Sequence, residues 1–202
     1  MKRQIRIVRQ TVRIGAVAPE AVAFVPPLMR RRLSPLQRIF FALANTLTEG
    51  RERACPIFFA SRDGEDGLTQ KLVEAFNATG DVSPGRFSTS VYNAAPGLWS
   101  VHAGNRASYS ALAAGEETVE CGLLEALLAD GERIWIYAEE TGGAYGCGAL
   151  FADAGEGESV TCLAGDLSRP PMDFKAVMAF LSGQCDRLDG RYVTLMVGVD
   201  GP

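Results

Sequence analysis

The side chains best suited to covalent chemistry in this sequence are five cysteines, Cys55, Cys121, Cys147, Cys162 and Cys185, and one histidine, His102. The cysteines are odd in number, widely spaced and never arranged as C-x-x-C. With a single imidazole in the chain, no zinc site is expected, and neither a metal nor a cofactor is called for. Free thiols at such spacing fit a reducing cytosol better than a disulfide framework. Ser110 has no base near it in sequence, and the chain contains no G-x-S-x-G elbow, no phosphate loop and no G-x-G-x-x-G turn. Ser61-Arg62-Asp63-Gly64-Glu65 is a polar cluster just after an apolar run, the place where open α/β sheets bind ligands. Arg62 and Glu65 read first as an internal ion pair that shapes a turn, and second as ligand contacts.

These residues need elements to hold them. Alternating apolar positions over 4–14 predict a half-exposed strand, with a phase slip at Ile7–Val8 that suggests a bulge. Ser34-Pro35-Leu36-Gln37 predicts a capped helix start, followed by an apolar stripe of Leu36, Ile39, Phe40, Leu43 and Leu47. The run Cys55–Ala60 reads as a strand buried on both faces. A helix over about 65–77 follows, with Leu68, Leu72, Val73 and Phe76 inward and Gly80 as its end. Ser83-Pro84-Gly85 reads as a turn, and a short helix near 93–103 has Asn93 as its cap. Tyr109–Leu112 is a small strand, Gly115 opens a helix to Ala129 with Val119, Leu123 and Leu127 inward, and 133–138 is another buried strand. Beyond Glu140, strands are expected over 144–152, 160–164 and 192–197, with a helix over 174–188. The glycine-rich run Gly142–Gly148 precedes a strand and reads as a loop or a close-approach strand. Helices alternating with short apolar strands give an α/β class with a mainly parallel or mixed sheet.

Bulk properties narrow the function classes. With 202 residues, 47% apolar and 22% charged, the chain is expected to form one domain over 1–202. The basic N-terminus has no continuous apolar stretch behind it, so neither a signal peptide nor a membrane span is expected, and a cytoplasmic location follows. Residues 1–53 carry eleven Lys/Arg against three Glu, an excess of +8 that leaves −12 for the remainder and −4 for the chain. Such a basic front end implies either an anionic partner or an internal charge match. An overall pI near 5.1 and no recognisable module argue against nucleic acid.

Three stretches carry a resemblance. They are Pro26-Pro27-Leu28-Met29-Arg30-Arg31-Arg32-Leu33-Ser34-Pro35-Leu36, then Phe59-Ala60-Ser61-Arg62-Asp63-Gly64-Glu65, then Ser83-Pro84 through Phe87-Ser88-Thr89-Ser90-Val91-Tyr92-Asn93-Ala94, running on into Ser110-Ala111-Leu112-Ala113-Ala114-Gly115-Glu116. Over roughly residues 20–140 the chain resembles the beta-ketoacyl synthase-like, chain-length-factor-like proteins of the thiolase superfamily associated with aryl polyene clusters. It departs from their pattern at Tyr92, where a histidine is usual.

The resemblance implies a thiolase-like half-fold, with 141–202 as an extension of the same domain. It also implies a heterodimer with a full-length ketosynthase, and an acyl carrier protein as a further partner. In such enzymes a cysteine at a strand-to-helix elbow becomes a thiolate because the helix N-terminus lowers its pKa. By motif that position is Leu112 here, which has no nucleophile. Ser110, Leu112, Ala114, Asn93 and Tyr92 become candidates for an acyl-tunnel wall, while Arg30, Arg31, Arg32, Ser61, Arg62 and Glu65 are motif residues of structural type. Cys121 is expected about two turns into the next helix, roughly 9 Å along its axis from the elbow, as a small buried hydrophobe. The implied function is a non-catalytic partner subunit; a homodimeric acyl-binding or scaffold protein is the alternative.

Overall fold

The structure, a computed structural model, describes residues 2–51 and 54–198; Glu52 and Arg53 of the basic front end lie outside them. In chain order the elements are β1 (Lys2–Ile14), α1 (Pro27–Arg30), α2 (Pro35–Thr48), β2 (Ile57–Ala60), α3 (Asp66–Thr79), α4 (Pro84–Phe87), α5 (Ala94–Ala103), β3 (Tyr109–Leu112), α6 (Thr118–Leu128), β4 (Arg133–Glu139), β5 (Tyr145–Ala152), β6 (Glu158–Ala164), α7 (Phe174–Leu181), β7 (Arg187–Asp189) and β8 (Val193–Val197). The eight strands form one sheet in the order β3-β2-β4-β5-β1-β6-β8-β7. Only β2 makes parallel pairs, with β3 and β4. Every other pairing is antiparallel, so the sheet is mixed rather than mainly parallel.

Two cores flank this sheet. Alternation along β4 sends Ile134, Ile136 and Ala138 to one face, against α2 and Trp99 of α5. Trp135 and Tyr137 go to the other, against α6 and α7. Helix α2 begins with the expected capping box: the Ser34 hydroxyl accepts from Gln37 N at 3.0 Å, and Gln37 Oε1 accepts from Ser34 N at 3.1 Å. Its stripe is buried outright, each large side chain contributing on the order of 1.5–3 kcal/mol. The glycines of β5 explain how closely α2 lies. A Cβ on Gly146 would stand 2.8 Å from Leu43, and one on Gly148 2.9 Å from Leu47.

The bulge in β1 decides which side chains reach which layer. Its register with β5 shifts between Ile7 and Arg9. Before the shift Ile5 and Ile7 face α6 and α7; after it Val12 does so, because one extra residue reverses the side-chain parity. The same slip turns Arg9 toward α2, where its guanidinium donates to the C-terminal carbonyls of Thr46 (2.9 Å) and Glu49 (2.8 Å).

Several expectations are corrected. Helix α7 ends at Leu181 because Gly183 takes a left-handed φ of 68°, and 187–189 is a strand, so no helix runs to Leu188. On α3 only Leu72 is buried; Val73 and Phe76 are 54% and 56% exposed because the helix packs mainly on α4, not on the sheet. Pro84–Phe87 is a short helix rather than a simple turn. Gly115–Glu117 is a 3₁₀ turn, and the α-helix proper starts at Thr118. Phe58 is half-buried, as befits a strand with one thinly covered face.

The segment after Glu140 completes the sheet and pins α6. Glu120, fully buried on α6, accepts from Met172 N (3.0 Å), Tyr192 N and Val193 N (3.2 Å). Glu117, one turn earlier, takes Arg191 and the Tyr192 hydroxyl (2.8 Å).

Candidate functional site

The parallel strands β2, β3 and β4 end on the same side of the sheet, so the residues after them converge there. Behind β2, the Ser61–Glu65 loop is held by buried carboxylates. Glu139, at the end of β4 and wholly buried, accepts from the Ser61 hydroxyl (3.1 Å), from Arg62 N and from Asp63 N (3.3 Å). Burial nevertheless pushes its pKa above the usual carboxylate range, outweighing those donors. The expected Arg62–Glu65 pair does not form. Arg62 instead reaches Asp63 at 3.0 Å, and this holds the Asp63 carboxyl below its ordinary value. Glu65 turns inward to the α2 start, accepting from the Ser34 hydroxyl (3.0 Å) and Gln37 Nε2 (2.9 Å). Burial raises its pKa to about 7. The sequence signal for this clamp is the capping box itself, since a buried N-cap needs a partner for its hydroxyl proton.

Tyr92 joins this cluster. Its hydroxyl donates to the Arg62 carbonyl at 2.8 Å, and its ring covers Gly64 so closely that a Cβ there would stand 3.0 Å away. Asn93 sits at the cap position of α5 but makes no side-chain capping bond; only its carbonyl is used, by Gly97 N. Arg30, Arg31 and Arg32 lie at the end of α1 and just beyond it, with the latter two exposed.

Behind β3 is the elbow. Leu112 closes the strand opposite Ala60 and is half-buried. Ala114 N donates to the Thr118 hydroxyl (2.8 Å), which donates to the Gly115 carbonyl (2.7 Å). Gly115 turns at φ 57°, delivering the chain into α6. Ser110 Oγ is buried without a hydrogen-bond partner. Cys121 lies three residues past the start of α6 and is half-buried, more open than expected. Burial, then Glu117 and Glu120, push its thiol up and so keep it protonated. Cys55 and Cys162 are pushed up to about 11, mainly by burial. His102 is on the opposite layer, enclosed by Phe24, Phe41 and Trp99 with centroids 5.6–5.8 Å away, and burial lowers its pKa. Among the described residues the elbow therefore holds neither a thiolate nor an imidazole.

Next to the elbow opens a cavity of about 740 Å³ that sequence reading missed. Gly115, Glu116 and Val119 form one side, Arg62 and Gly142 the mouth, and Pro170–Met172 and Phe174–Lys175 the far wall. Tyr137, Tyr145 and Phe174 make an aromatic shelf within it, Tyr145 and Phe174 4.6 Å apart. Leu112, Ser110, Ala114, Tyr92 and Asn93 do not line it. Among the described residues no group of three or more ligating side chains could hold a metal ion, and no helix is long and apolar enough to cross a membrane.

A comparison with the curated proteins found no match. Among solved structures, a chain of the complex of the ketosynthase ApeO with its chain length factor ApeC from Xenorhabdus doucetiae is similar at a TM-score of 0.70 and 18% identity, over 95% of this chain and 98% of that one. At that identity the likeness speaks for the fold, which is ketosynthase-like and of the thiolase type. Residues 7–135, well over half of the chain, match the family described as beta-ketoacyl synthase, N-terminal domain. The chain, matched from β1 through the start of β4, thus belongs to the beta-ketoacyl synthase N-terminal domain family.

Proposed function

We propose that this chain is a non-catalytic, chain-length-factor-like subunit that pairs with an active beta-ketoacyl carrier-protein synthase in cytoplasmic fatty-acid, polyketide or aryl polyene biosynthesis. The feature that carries the reading is Leu112, which ends β3 with an isobutyl group at the position where, by the motif resemblance, a condensing enzyme presents its thiolate. The nearest thiol, Cys121, is held protonated by burial and two glutamates. Condensation also needs donors for the oxyanion formed on decarboxylation, and the only imidazole in the chain lies on the other layer. The complex of ApeO with its chain length factor, to which this fold is similar, supports a partner of the ketosynthase kind.

The test is co-expression with a full-length ketosynthase from the same genome, followed by size-exclusion chromatography with mass measurement. A stable one-to-one complex is expected. A chain that remains alone at every ratio counts against the reading, and a symmetric dimer indifferent to the ketosynthase favours the scaffold alternative. Purified chain that by itself extends acyl thioesters with malonyl thioester would overturn it.

A further inference from the structure

The cavity beside the elbow is built largely from residues that the family match does not include: Tyr137, Tyr145 and the 170–178 segment lie after residue 135. Its volume falls in the range of sites that enclose small molecules, which run from about 300 to 1,000 Å³. Its far wall is fixed rather than loose. Met172 is buried, and its backbone N–H is held by the buried Glu120; Phe174 follows the Asp173 cap of α7. The shelf offers ring faces while its own polar need is met, because the Tyr137 hydroxyl interacts with Glu139 beneath and Tyr145 beside it.

The rim is selective in charge. Asp173 is occupied as the cap of α7, accepting from Ala176 N at 2.7 Å, and Arg62 is occupied by Asp63. Two exposed charges remain without a hydrogen bond or ion pair, Lys175 and Glu116. Lys175 can attract one negative group, while Glu116 and Asp173 oppose a head that carries more.

We propose that this cavity binds a free, singly charged anionic amphiphile, with its ring or chain on the Tyr145–Phe174 shelf and its carboxylate at Lys175. The site is complete within one chain and does not depend on the partner reading, so either can fail while the other stands.

The experiment titrates isolated full-length protein with the fluorescent acid 11-(dansylamino)undecanoate and, in parallel, its uncharged methyl ester. Saturable one-to-one binding of the acid, with a blue-shifted emission, is expected. Val119→Trp, which fills the cavity from α6, should weaken both probes at least about ten-fold. Met178→Trp, on α7, gives the same test should Val119→Trp fail to fold. Lys175→Glu should weaken the acid about five- to ten-fold, as expected for reversing one exposed charge, and leave the ester within about two-fold. No saturable binding of the acid, or affinity indifferent to cavity filling in a folded variant, would overturn the proposal. Equal weakening of acid and ester by Lys175→Glu would overturn the assignment of the head group.

Discussion

Glu65 is a carboxylate whose neutral form suits its place better than its charged one. It is 3% exposed, its Oε2 has no partner, and Glu140 adds repulsion to the burial that raises its pKa. Unfolded, it releases its proton near 4.5; folded, it holds on to about 7. Between those values the folded state binds the extra proton, so stability falls as pH rises from 4.5 and the loss is complete above about 7. At 1.36 kcal/mol per pKa unit, the ceiling is about 3 kcal/mol. Glu65→Gln keeps an oxygen for Ser34 and Gln37 and removes the titration. Urea denaturation should therefore show the variant close to the parent at pH 5 and more stable by about 2–3 kcal/mol at pH 8. Glu139 titrates in both proteins and cancels from the difference. Parallel pH profiles would mean that Glu65 is not desolvated as described.

At the scale of elements, α6 is the piece that ties the elbow to the sheet, and its seating rests on Gly122. A Cβ there would meet the Ala60 Cβ at 2.4 Å and Trp135 Nε1 at 3.3 Å. Alanine would gain up to about 1 kcal/mol in helix propensity, but overpacking against a central strand costs about 1–3 kcal/mol, and a β-carbon has no rotamer by which to retreat. Gly122→Ala should thus lower the melting temperature by several degrees. Gly85→Ala, in the exposed α4 with nothing within 4 Å, should leave it unchanged or slightly raised. A stabilised Gly122→Ala would show that α6 stands off from β2. The same helix shows what sequence conveys and what it does not. Its inward residues, the capping box of α2, the bulge of β1 and the extent of β3 were all legible, because each is written in local chemistry or parity. Val73 and Phe76 were misread because an apolar stripe shows which face is greasy, not whether anything covers it. Of the two sheet types the sequence allowed, mainly parallel or mixed, the mixed one is realised, because β4 and β5 are joined by a short connection that pairs them antiparallel and β1 inserts antiparallel between β5 and β6. The cavity could not be read from the sequence: its walls come from five stretches far apart in sequence, and its key polar support, Glu139, is one of two adjacent glutamates with nothing to mark it.

Across the whole molecule, two groups of arginines stand out in the basic front end. Arg3 pairs with Asp130 and Asp153 and donates to the Leu127 carbonyl, Arg9 caps α2, and Arg51 meets Glu132; these are the internal match to the acidic body. Arg30, Arg31 and Arg32 make no hydrogen bond or ion pair through their side chains and remain available to solvent. If the proposed pairing is steered by charge, these three should set its rate. Their field extends about 30 Å at 0.01 M salt and only about 3 Å at 1 M. Reversing all three to glutamate should leave the melting temperature within about 1–2 °C, since no native hydrogen bond or ion pair is lost. Stopped-flow association with the ketosynthase should slow about ten-fold or more at low ionic strength, and the two proteins should converge as salt is raised toward 1 M. Slowing that persists at high salt would place the arginines inside the contact itself, in fixed hydrogen bonds, rather than ahead of it as a guiding field.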